Sequence, residues 1–284
     1  MANTEAVIVV ETLGSLTPAV QAGLDALVLQ SGWNQTPQDW AIFSREGTVC
    51  VVRDAQGRIV ASGAVLPHGS EVAWISMILV APDVRGRGLG RAVFLHCLDL
   101  VKAAGRTACL DATPDGQRIY SQFGFAPVYG LTRWQRAARP PAAPAACSTQ
   151  LPDAKALAAL AALDAQALGA PRHALLADFL ARRDAACVRS SEGFAIVRRG
   201  RIAHQIGPLL ALNEAGAAEL MTRAVQDLAG PVFIDVPDER ALLAGQLRDA
   251  GFTPQRSFMR MVLGDQPLQG QTHFIHAIAG PEFG

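Results

Sequence analysis

The sequence predicts a mixed α/β fold that occurs twice along the chain. Three observations predict it: strand-like β-branched runs alternate with apolar residues at helical spacing, a glycine-rich turn joins a strand to a helix, and a Pro/Ala-rich segment divides the chain. The 284 residues correspond to about two domains of about 150 residues each. We predict a first domain at residues 1–136, a linker at 137–152 and a second domain at 153–284.

The composition limits the classes of partner. Half of the residues are apolar, and 25 basic and 25 acidic side chains give a net charge of zero, which excludes a largely disordered chain and gives no reason to expect a nucleic-acid or membrane partner. The five cysteines are far apart and form no C-x-x-C pair, so neither a disulfide framework nor a metal site is expected. With no targeting segment and no long apolar run, we expect a cytoplasmic location.

The first domain shows the order strand, helices, three strands, helix, strand, helix, strand. Leu24, Leu27 and Val28 lie at helical spacing before a Ser-Gly stop, and a turn ending at Gly57 joins the second and third strands. Strands are predicted at residues 6–10, 48–53, 58–66, 71–80, 107–112 and 125–134, and helices at 18–29, 89–104 and 117–123.

A similar order returns after the linker. Cys109-Leu-Asp111, a helix and Gly124-Phe125 match Phe233-Ile-Asp235, a helix and Gly251-Phe252. This match indicates an internal duplication, and we call residues 1–136 the first repeat and 153–284 the second. Helices are predicted at 153–168, 172–182 and 213–229, with another that ends at Ala250, and strands at 185–189, 193–199, 202–212, 232–236 and 252–263. The second repeat lacks the glycine-rich turn.

That turn in the first repeat has the properties of a pyrophosphate site. Glycines allow the backbone to approach an anion, and the helix that begins there directs its free N–H groups and positive dipole end toward it. Arg85, Arg87 and Arg91 add charge and forked donors. A bare glycine turn before a helix is the alternative interpretation.

The sequence here resembles the GCN5-related N-acetyltransferase (GNAT) superfamily. Its acetyl-CoA signature is matched by Arg85-Gly86-Arg87-Gly88-Leu89-Gly90 after Val80-x-Pro82, and its Tyr-x-x-x-Gly-Phe element by Tyr120 to Phe125. The resemblance covers about residues 6–135. Residues 33–40 and 279–284 are similar to a tandem-domain branch that includes Bacillus proteins of the YitH type.

The resemblance implies a GNAT fold followed by a second, degenerate GNAT-like domain, with acetyl-CoA as co-substrate. The pantetheine arm would enter a V-shaped opening between the strands at 71–80 and 107–112. Tyr120 would donate a proton or hydrogen bond to the departing thiolate, because a phenol with a pKa of about 10 still carries its proton when the thiolate forms; simple ring packing is the alternative. The implied co-substrate contacts are Ile78, Leu79, Val80, Arg85, Gly86, Arg87, Gly88, Leu89, Gly90 and Arg91.

The general base is left open. The strand before the turn has no carboxylate, and Ser76 is expected to hold a water or the substrate. Asp39, Asp111, His204, Asp235 and a water chain are the candidates for the base. Each of the four side chains is also interpreted as a helix cap, a paired carboxylate or a buried histidine.

The acceptor site is predicted from both repeats. Trp33, Asn34 and Asp39 follow the first helix, and the second repeat would contribute His204 and Gln205. The expected function is acetyl transfer from acetyl-CoA to a primary amine of a small metabolite, with no metal, by a monomer or homodimer. The alternatives are acetylation of protein lysine or N-terminal amines, and a non-catalytic acyl-CoA-binding regulator. Cys97 and Cys109 are expected to be buried packing residues and not acyl carriers.

Overall fold

The computed structural model describes residues 8–139, 152–264 and 268–284. The chain forms two compact units, one of Met1–Pro67 with Ala73–Ala108 and the other of His68–Val72 with Cys109–Gly284. Most of the predicted linker, at 140–151, lies outside the described residues, so the domain division that it marks stays a prediction. None of the described helices is both long and apolar enough to cross a lipid bilayer.

Among its described residues, the first unit contains four neighbouring strands and three α-helices. The strands follow the order β1-β2-β3-β4. The strand predicted at residues 6–10 is wrong, because residues 8–10 are not in a strand and β1 lies at Glu11–Thr12, paired with β2. The elements are β1 (Glu11–Thr12), α1 (Pro18–Ser31), α2 (Pro37–Glu46), β2 (Thr48–Arg53), β3 (Ile59–His68), β4 (Val72–Val80) and α3 (Leu89–Ala103).

Two glycines let α3 lie close against the strands. A Cβ at Gly63 of β3 would come within 2.6 Å of Val93 Cγ1 and 3.0 Å of Cys97 Sγ, and a Cβ at Gly90 would lie 3.3 Å from Val80 Cγ2. The buried face of α3 includes the Val93 and Cys97 that the helical spacing predicts. This packing fixes the N-terminus of α3 next to the end of β4.

The second unit contains the remaining elements. Its strands follow the order β5-β11-β6-β10-β9-β8-β7, with β12 paired to β9. The elements are β5 (Thr107–Ala112), α4 (Pro114–Ser121), β6 (Phe125–Arg136), α5 (Ala154–Leu168), α6 (His173–Ala181), β7 (Ala186–Arg189), β8 (Gly193–Arg199), β9 (His204–Ala211), α7 (Glu214–Gln226), β10 (Val232–Pro237), α8 (Ala241–Asp249), β11 (Thr253–Leu263) and β12 (Ile275–Ala277).

The two repeats exchange their last long strands. Strand β11 of the second repeat lies antiparallel between β5 and β6, and β6 of the first repeat lies antiparallel against β10. Leu131 pairs with Phe258, and these two residues occupy equivalent places after Gly124-Phe125 and Gly251-Phe252. The four strands are therefore related by an approximate two-fold axis through that pair.

Each exchanged strand carries an arginine to a buried aspartate of the other repeat. Arg260 of β11 contacts both carboxylate oxygens of Asp111 in β5, at 2.9 and 2.8 Å. Arg133 of β6 contacts both carboxylate oxygens of Asp235 in β10, at 2.7 and 2.8 Å. Such two-point pairing satisfies the charges that burial would otherwise leave unpaired.

Candidate active site

The glycine-rich turn forms a left-handed corner that leads into α3. Gly86 and Gly88 have φ of 77° and 79°, a conformation that other residues rarely adopt. Gly88 is the N-cap of α3, and no side chain caps the helix. The helical hydrogen bonds begin with Ala92 N–H donating to the Gly88 carbonyl at 3.0 Å. The preceding amides therefore lie at the positive end of the helix dipole, where an anion is stabilised.

Three exposed arginines surround this corner. Arg85, Arg87 and Arg91 are all exposed, and Arg85 Nε donates to the Val80 carbonyl at 3.2 Å. The nearby Asp83 is paired with Arg58 at 2.6 Å, and this hydrogen bond lowers the pKa of Asp83 from its ordinary value. A Cβ at Gly86 would meet no atom within 4 Å, so the corner is open on that side. These residues fit a pyrophosphate group.

Strand β4 is locally distorted just before the turn. Of the described non-glycine residues, Met77 alone has a positive φ, at 57°. Its carbonyl accepts a hydrogen bond from the buried Ser62 hydroxyl at 3.0 Å, which holds the distorted peptide in place. Ile78 and Val80 are half-buried and Leu79 is buried. Their predicted contacts with pantetheine stay predictions.

The predicted catalytic residues have different surroundings. The Ser76 hydroxyl oxygen is buried and has no hydrogen-bond partner among the described residues. Tyr120 is half-buried near the end of α4, with its ring centroid 6.2 Å from that of Phe125. A Cβ at Gly116 would lie 3.1 Å from Tyr120 Cε2, so the ring lies over the preceding helical turn. The roles of Ser76 and Tyr120 stay predictions.

The predicted acceptor residues of the first repeat lie in the connection between α1 and α2 and in the first turn of α2. Asp39 accepts hydrogen bonds from Thr36 N–H at 2.7 Å and from the Thr36 hydroxyl at 3.0 Å. It thus forms a capping box at the start of α2, which favours the helix-cap interpretation over a base. Asn34 is buried and Trp33 half-buried, whereas Trp40 belongs to the core with no exposed surface.

The other candidate carboxylates are also committed to structural contacts. Asp111 and Asp235 are each held by an arginine, and burial raises the pKa of Asp111 while Arg260 opposes that effect. Gln205, predicted to contact substrate, is buried and donates to Asp235 at 2.9 Å. The paired-carboxylate interpretation therefore applies to both aspartates.

His204 and Tyr120 lie near opposite ends of β6. His204 borders a depression of about 340 Å³ with Arg199 and Gly230, and burial, followed by the charge of Arg199, lowers its pKa. His204 pairs with Val232, which pairs with Arg136 at the end of β6. The Tyr120 ring instead packs near Phe125 at the beginning of β6, so the strand separates the two sites by about 36 Å at ~3.3 Å per residue. His204 and Tyr120 do not share a site.

The two predicted packing cysteines are buried and have raised pKa values. Cys97 and Cys109 are almost fully buried, which confirms their packing role. Burial raises the pKa of the Cys109 thiol to about 12, and contact with Cys50 together with burial raises that of Cys97. Cys50 and Cys187 are also free thiols. Neither Cys97 nor Cys109 has the thiolate character of an acyl carrier.

In the second repeat, β9 and β10 are the strands that correspond to β4 and β5. The short strand β12 lies beside them where they separate. Strands β9 and β10 pair in parallel only over His204–Ile206 and Val232–Ile234. Beyond that point β12 pairs with β9, and Ile278 N–H donates to the Asp235 carbonyl at 3.0 Å. The second repeat therefore lacks both the glycine turn and an open gap beside β10.

Arg133, Arg260 and Tyr129 are site residues that were not predicted from the sequence. Arg260 Nη1 donates to the Tyr129 hydroxyl at 2.6 Å, in addition to its two contacts with Asp111. A signal was present in the sequence, because Gly-Phe-x-Pro is followed by an arginine at the same spacing in both repeats, at Arg133 and Arg260. Arg260 and Tyr129 form the polar interior beside β5, and Arg133 forms the equivalent interior beside β10.

Comparisons with known proteins match both repeats. Two GNAT acetyltransferase domain models match residues 45–127 and 160–277. The chain is 30% identical to holothin acyltransferase of Pseudoalteromonas sp. over 79% of this chain and 78% of that protein. It is 24% identical to YitH, an uncharacterised N-acetyltransferase of Bacillus subtilis, over 86% of this chain and 88% of that protein.

Solved structures share the tandem fold. A crystal structure of an acetyltransferase candidate from Pyrococcus horikoshii matches with a TM-score of 0.78 at 22% identity, covering 97% of this chain and 96% of that one. A tandem GNAT protein from the clavulanic acid biosynthesis pathway matches with a TM-score of 0.60 at 18% identity, covering 90% and 99%. The chain belongs to the GNAT acetyltransferases and is a tandem-domain enzyme of that family.

Proposed function

We propose that this enzyme transfers an acetyl group from acetyl-CoA directly to a primary amine of a small metabolite. The observation that carries the proposal is the left-handed turn at Gly86 and Gly88, which leads into an uncapped helix among three exposed arginines. This arrangement suits the pyrophosphate of coenzyme A, because backbone amides, the helix dipole and guanidinium groups all attract one small polyanion.

In the proposed reaction, the amine nitrogen attacks the thioester carbonyl carbon and the carbon–sulfur bond breaks. The thiolate takes the proton of the Tyr120 phenol, which solvent then restores. The attacking amine must lose a proton, and Asp39, Asp111 and Asp235 are committed to other partners. We therefore assign this proton to water, with the unpartnered Ser76 hydroxyl as a group that can orient it.

One coenzyme is expected per chain. The second repeat has no glycine turn, and its own β12 lies where β9 and β10 diverge. Calorimetric titration with acetyl-CoA is expected to give a stoichiometry of one, and a value of two would contradict this assignment.

A small acceptor is supported by one relative. The acyltransferase that is 30% identical over most of both chains is named for holothin as its acceptor. We transfer from it only the class of acceptor, an individual compound in place of a protein, and we expect the reaction to run without a metal. Acetylation of protein amines is the alternative that the assay below separates.

The test combines binding with turnover. Wild-type protein is titrated with acetyl-CoA, and thiol release is followed with a panel of free amino acids, polyamines and aromatic amines, alongside lysine peptides. Turnover with a small amine supports the proposal, whereas turnover with peptides alone would support protein acetylation. Binding without turnover on any amine would contradict small-amine transfer.

Substitution of the phenol tests the acid. Tyr120→Phe is expected to lower kcat by about 10²- to 10⁴-fold, the usual contribution of a general acid, while the Kd for acetyl-CoA stays unchanged. Ser121→Ala, at the exposed neighbouring position of α4, is the matched control. Unchanged kcat in Tyr120→Phe across pH 6–9 would remove Tyr120 from the mechanism.

A further inference from the structure

A small cavity lies beside β5, β6 and β11 within the second unit. Its walls include Cys109, Tyr129, Arg260 and Val262, and most of the remaining wall is aliphatic. It offers about 20 Å³ to the centre of a water-sized group, which is room for about one such group. The cavity therefore admits about one methyl-sized group, with the Tyr129 phenol beside it.

The equivalent place in the second repeat holds a phenylalanine. Cys109 pairs with Val262 and Phe233 pairs with Gln135, and these pairs are equivalent under the two-fold relation. The Phe233 ring lies 5.1 Å from the Arg133 guanidinium, and the Phe258 ring lies 5.4 Å from it. In the first repeat a cysteine stands where the second has a phenylalanine, so the cavity occurs in the repeat that keeps the glycine turn.

The polar side of the cavity has a hydrogen-bond donor for which the described residues show no acceptor, the Tyr129 hydroxyl. Arg260 directs Nε and Nη2 to Asp111 and Nη1 to the Tyr129 oxygen. Because arginine has no acceptor, the proton of the Tyr129 hydroxyl takes no part in that bond. Burial raises the pKa of Tyr129, so the phenol keeps this proton at neutral pH. The equivalent residue in the second repeat is the exposed Arg256.

The cavity lies at the same end of β6 as Tyr120. Val262, in its wall, pairs with Ala126, and the adjacent Phe125 is the ring partner of Tyr120. The depression beside His204 lies at the opposite end of that strand. Of these two spaces, the cavity is the one close to the proposed acid.

We propose, building on the transferase function above, that this cavity is a specificity pocket for one methyl-sized end group of a substrate that also carries a hydrogen-bond-accepting oxygen within reach of Tyr129. Tyr129 would donate to that oxygen, and Arg260, supplied by the second repeat, would act as a positioning residue that fixes the phenol. A group of this kind occurs in an acyl chain longer than acetyl and also at the end of an amine acceptor. The experiment separates these two sources.

Cys109→Phe fills the cavity with the side chain that the second repeat already accommodates, and Cys109→Ala is its control. Titration with CoA, acetyl-CoA, propionyl-CoA and butyryl-CoA forms one arm, and kcat/KM across the amine panel forms the other. If the pocket takes the acyl chain, Cys109→Phe weakens binding of the longer esters about tenfold or more, while CoA binding is unchanged. If it takes the acceptor, ester binding is unchanged and kcat/KM falls for the larger amines.

The polar contact is tested separately. Tyr129→Phe is expected to lower kcat/KM for the preferred substrate about three- to tenfold, as the loss of one hydrogen bond does. Arg260→Met and Arg133→Met each remove one of the two equivalent buried ion pairs, so both should lower Tm. Only Arg260→Met should change the ratio of kcat/KM between long and short substrates, and Arg260→Lys should restore part of it.

The proposal is overturned if folded Cys109→Phe keeps wild-type affinities for every ester and wild-type kinetics for every amine. Should that variant fail to fold, Val128→Phe at the 40% exposed rim of the cavity, with Val128→Ala as control, gives the same comparison. Wild-type protein that neither binds CoA esters nor releases thiol would overturn the proposed function and the pocket together. That outcome is visible before any variant is made.

Discussion

Replacing Gly88 by alanine tests whether the left-handed turn holds coenzyme A. Gly88 has φ of 79° and is the N-cap of α3. A Cβ there would have Ile8 Cδ1 as its nearest neighbour at 3.8 Å, an ordinary van der Waals contact. The cost of the substitution is therefore the backbone conformation alone, about 1–2 kcal/mol for an L-residue in this region.

The backbone cost of Gly88→Ala can lower the stability of the protein, its affinity for acetyl-CoA, or both. A substitution at a second glycine separates these two effects. Gly105 has φ of 66° with no atom within 4 Å of its Cβ position, so Gly105→Ala carries the same backbone cost. It follows the other end of α3, a 15-residue helix about 22 Å long. Both substitutions act on one helix, but only Gly88 lies in the turn.

The assay pairs thermal unfolding with acetyl-CoA titration. Both variants are expected to lower Tm by about 2–8 °C. If Gly88→Ala displaces the turn, acetyl-CoA binding weakens by up to about 5- to 30-fold, the equivalent of 1–2 kcal/mol, while Gly105→Ala binds as wild type does. Gly88→Asn should recover part of the loss because asparagine tolerates the left-handed region. Equal acetyl-CoA affinities in the two alanine variants would refute the assignment of the turn.

Two further predictions concern packing and pH. Gly63→Ala places a Cβ 2.6 Å from Val93 Cγ1, so overpacking should lower the free energy of unfolding by about 1–3 kcal/mol in urea titrations; an unchanged midpoint would contradict the tight α3 packing. Burial lowers the pKa of His276 from 6.5 to about 4. Between these values the unfolded chain binds more protons than the folded one, so the stability contributed by neutral His276 falls as the pH drops from 6.5 to 4, by about 3 kcal/mol in total. His276→Gln should be less acid-sensitive in that window, and an identical pH dependence of urea unfolding would contradict the assignment.

The features that depend on nearby residues could be predicted from the sequence. The turn at Gly86 and Gly88 and the helix after it follow from local glycine and apolar spacing, and both are present. Thr36, Pro37 and Asp39 are likewise the signature of a helix start, and they cap α2. This local signal identifies Asp39 as a cap without reference to the rest of the fold.

The strand exchange could not be predicted, because spacing within a repeat does not say which partner a strand takes. Arg133 and Arg260 follow Gly-Phe at the same distance, and each repeat has its own aspartate. The sequence is equally compatible with Arg133 meeting Asp111 or Asp235. Only the pairing of β11 with β5 and of β6 with β10 decides between them.

Whether Asp111 or Asp235 is available as a base could not be predicted either, because that also depends on strand pairing between distant parts of the chain. Asp111 is separated from Arg260 by 149 residues in sequence, and without that partner a buried aspartate has the raised pKa expected of a base. The difference between Cys109 and Phe233 was visible in the sequence. That Cys109 borders a cavity, and that Phe233 stands at the equivalent place, could be seen only from the strand register of the two repeats.

Strand exchange also gives a physical reason for a second repeat that has lost its glycine turn. The turn is a local feature at one helix end, so its loss leaves the strands and their pairing unaffected. Strand β11 and Arg260, in contrast, belong to the interior beside β5 of the first repeat. A chain ending at residue 152 would leave Asp111 without Arg260, and removing one partner of a buried ion pair costs about 3–5 kcal/mol, a large part of the stability of a typical domain. The two repeats are therefore not expected to fold apart, and single substitutions at the exchanged strands separate their roles better than truncation does.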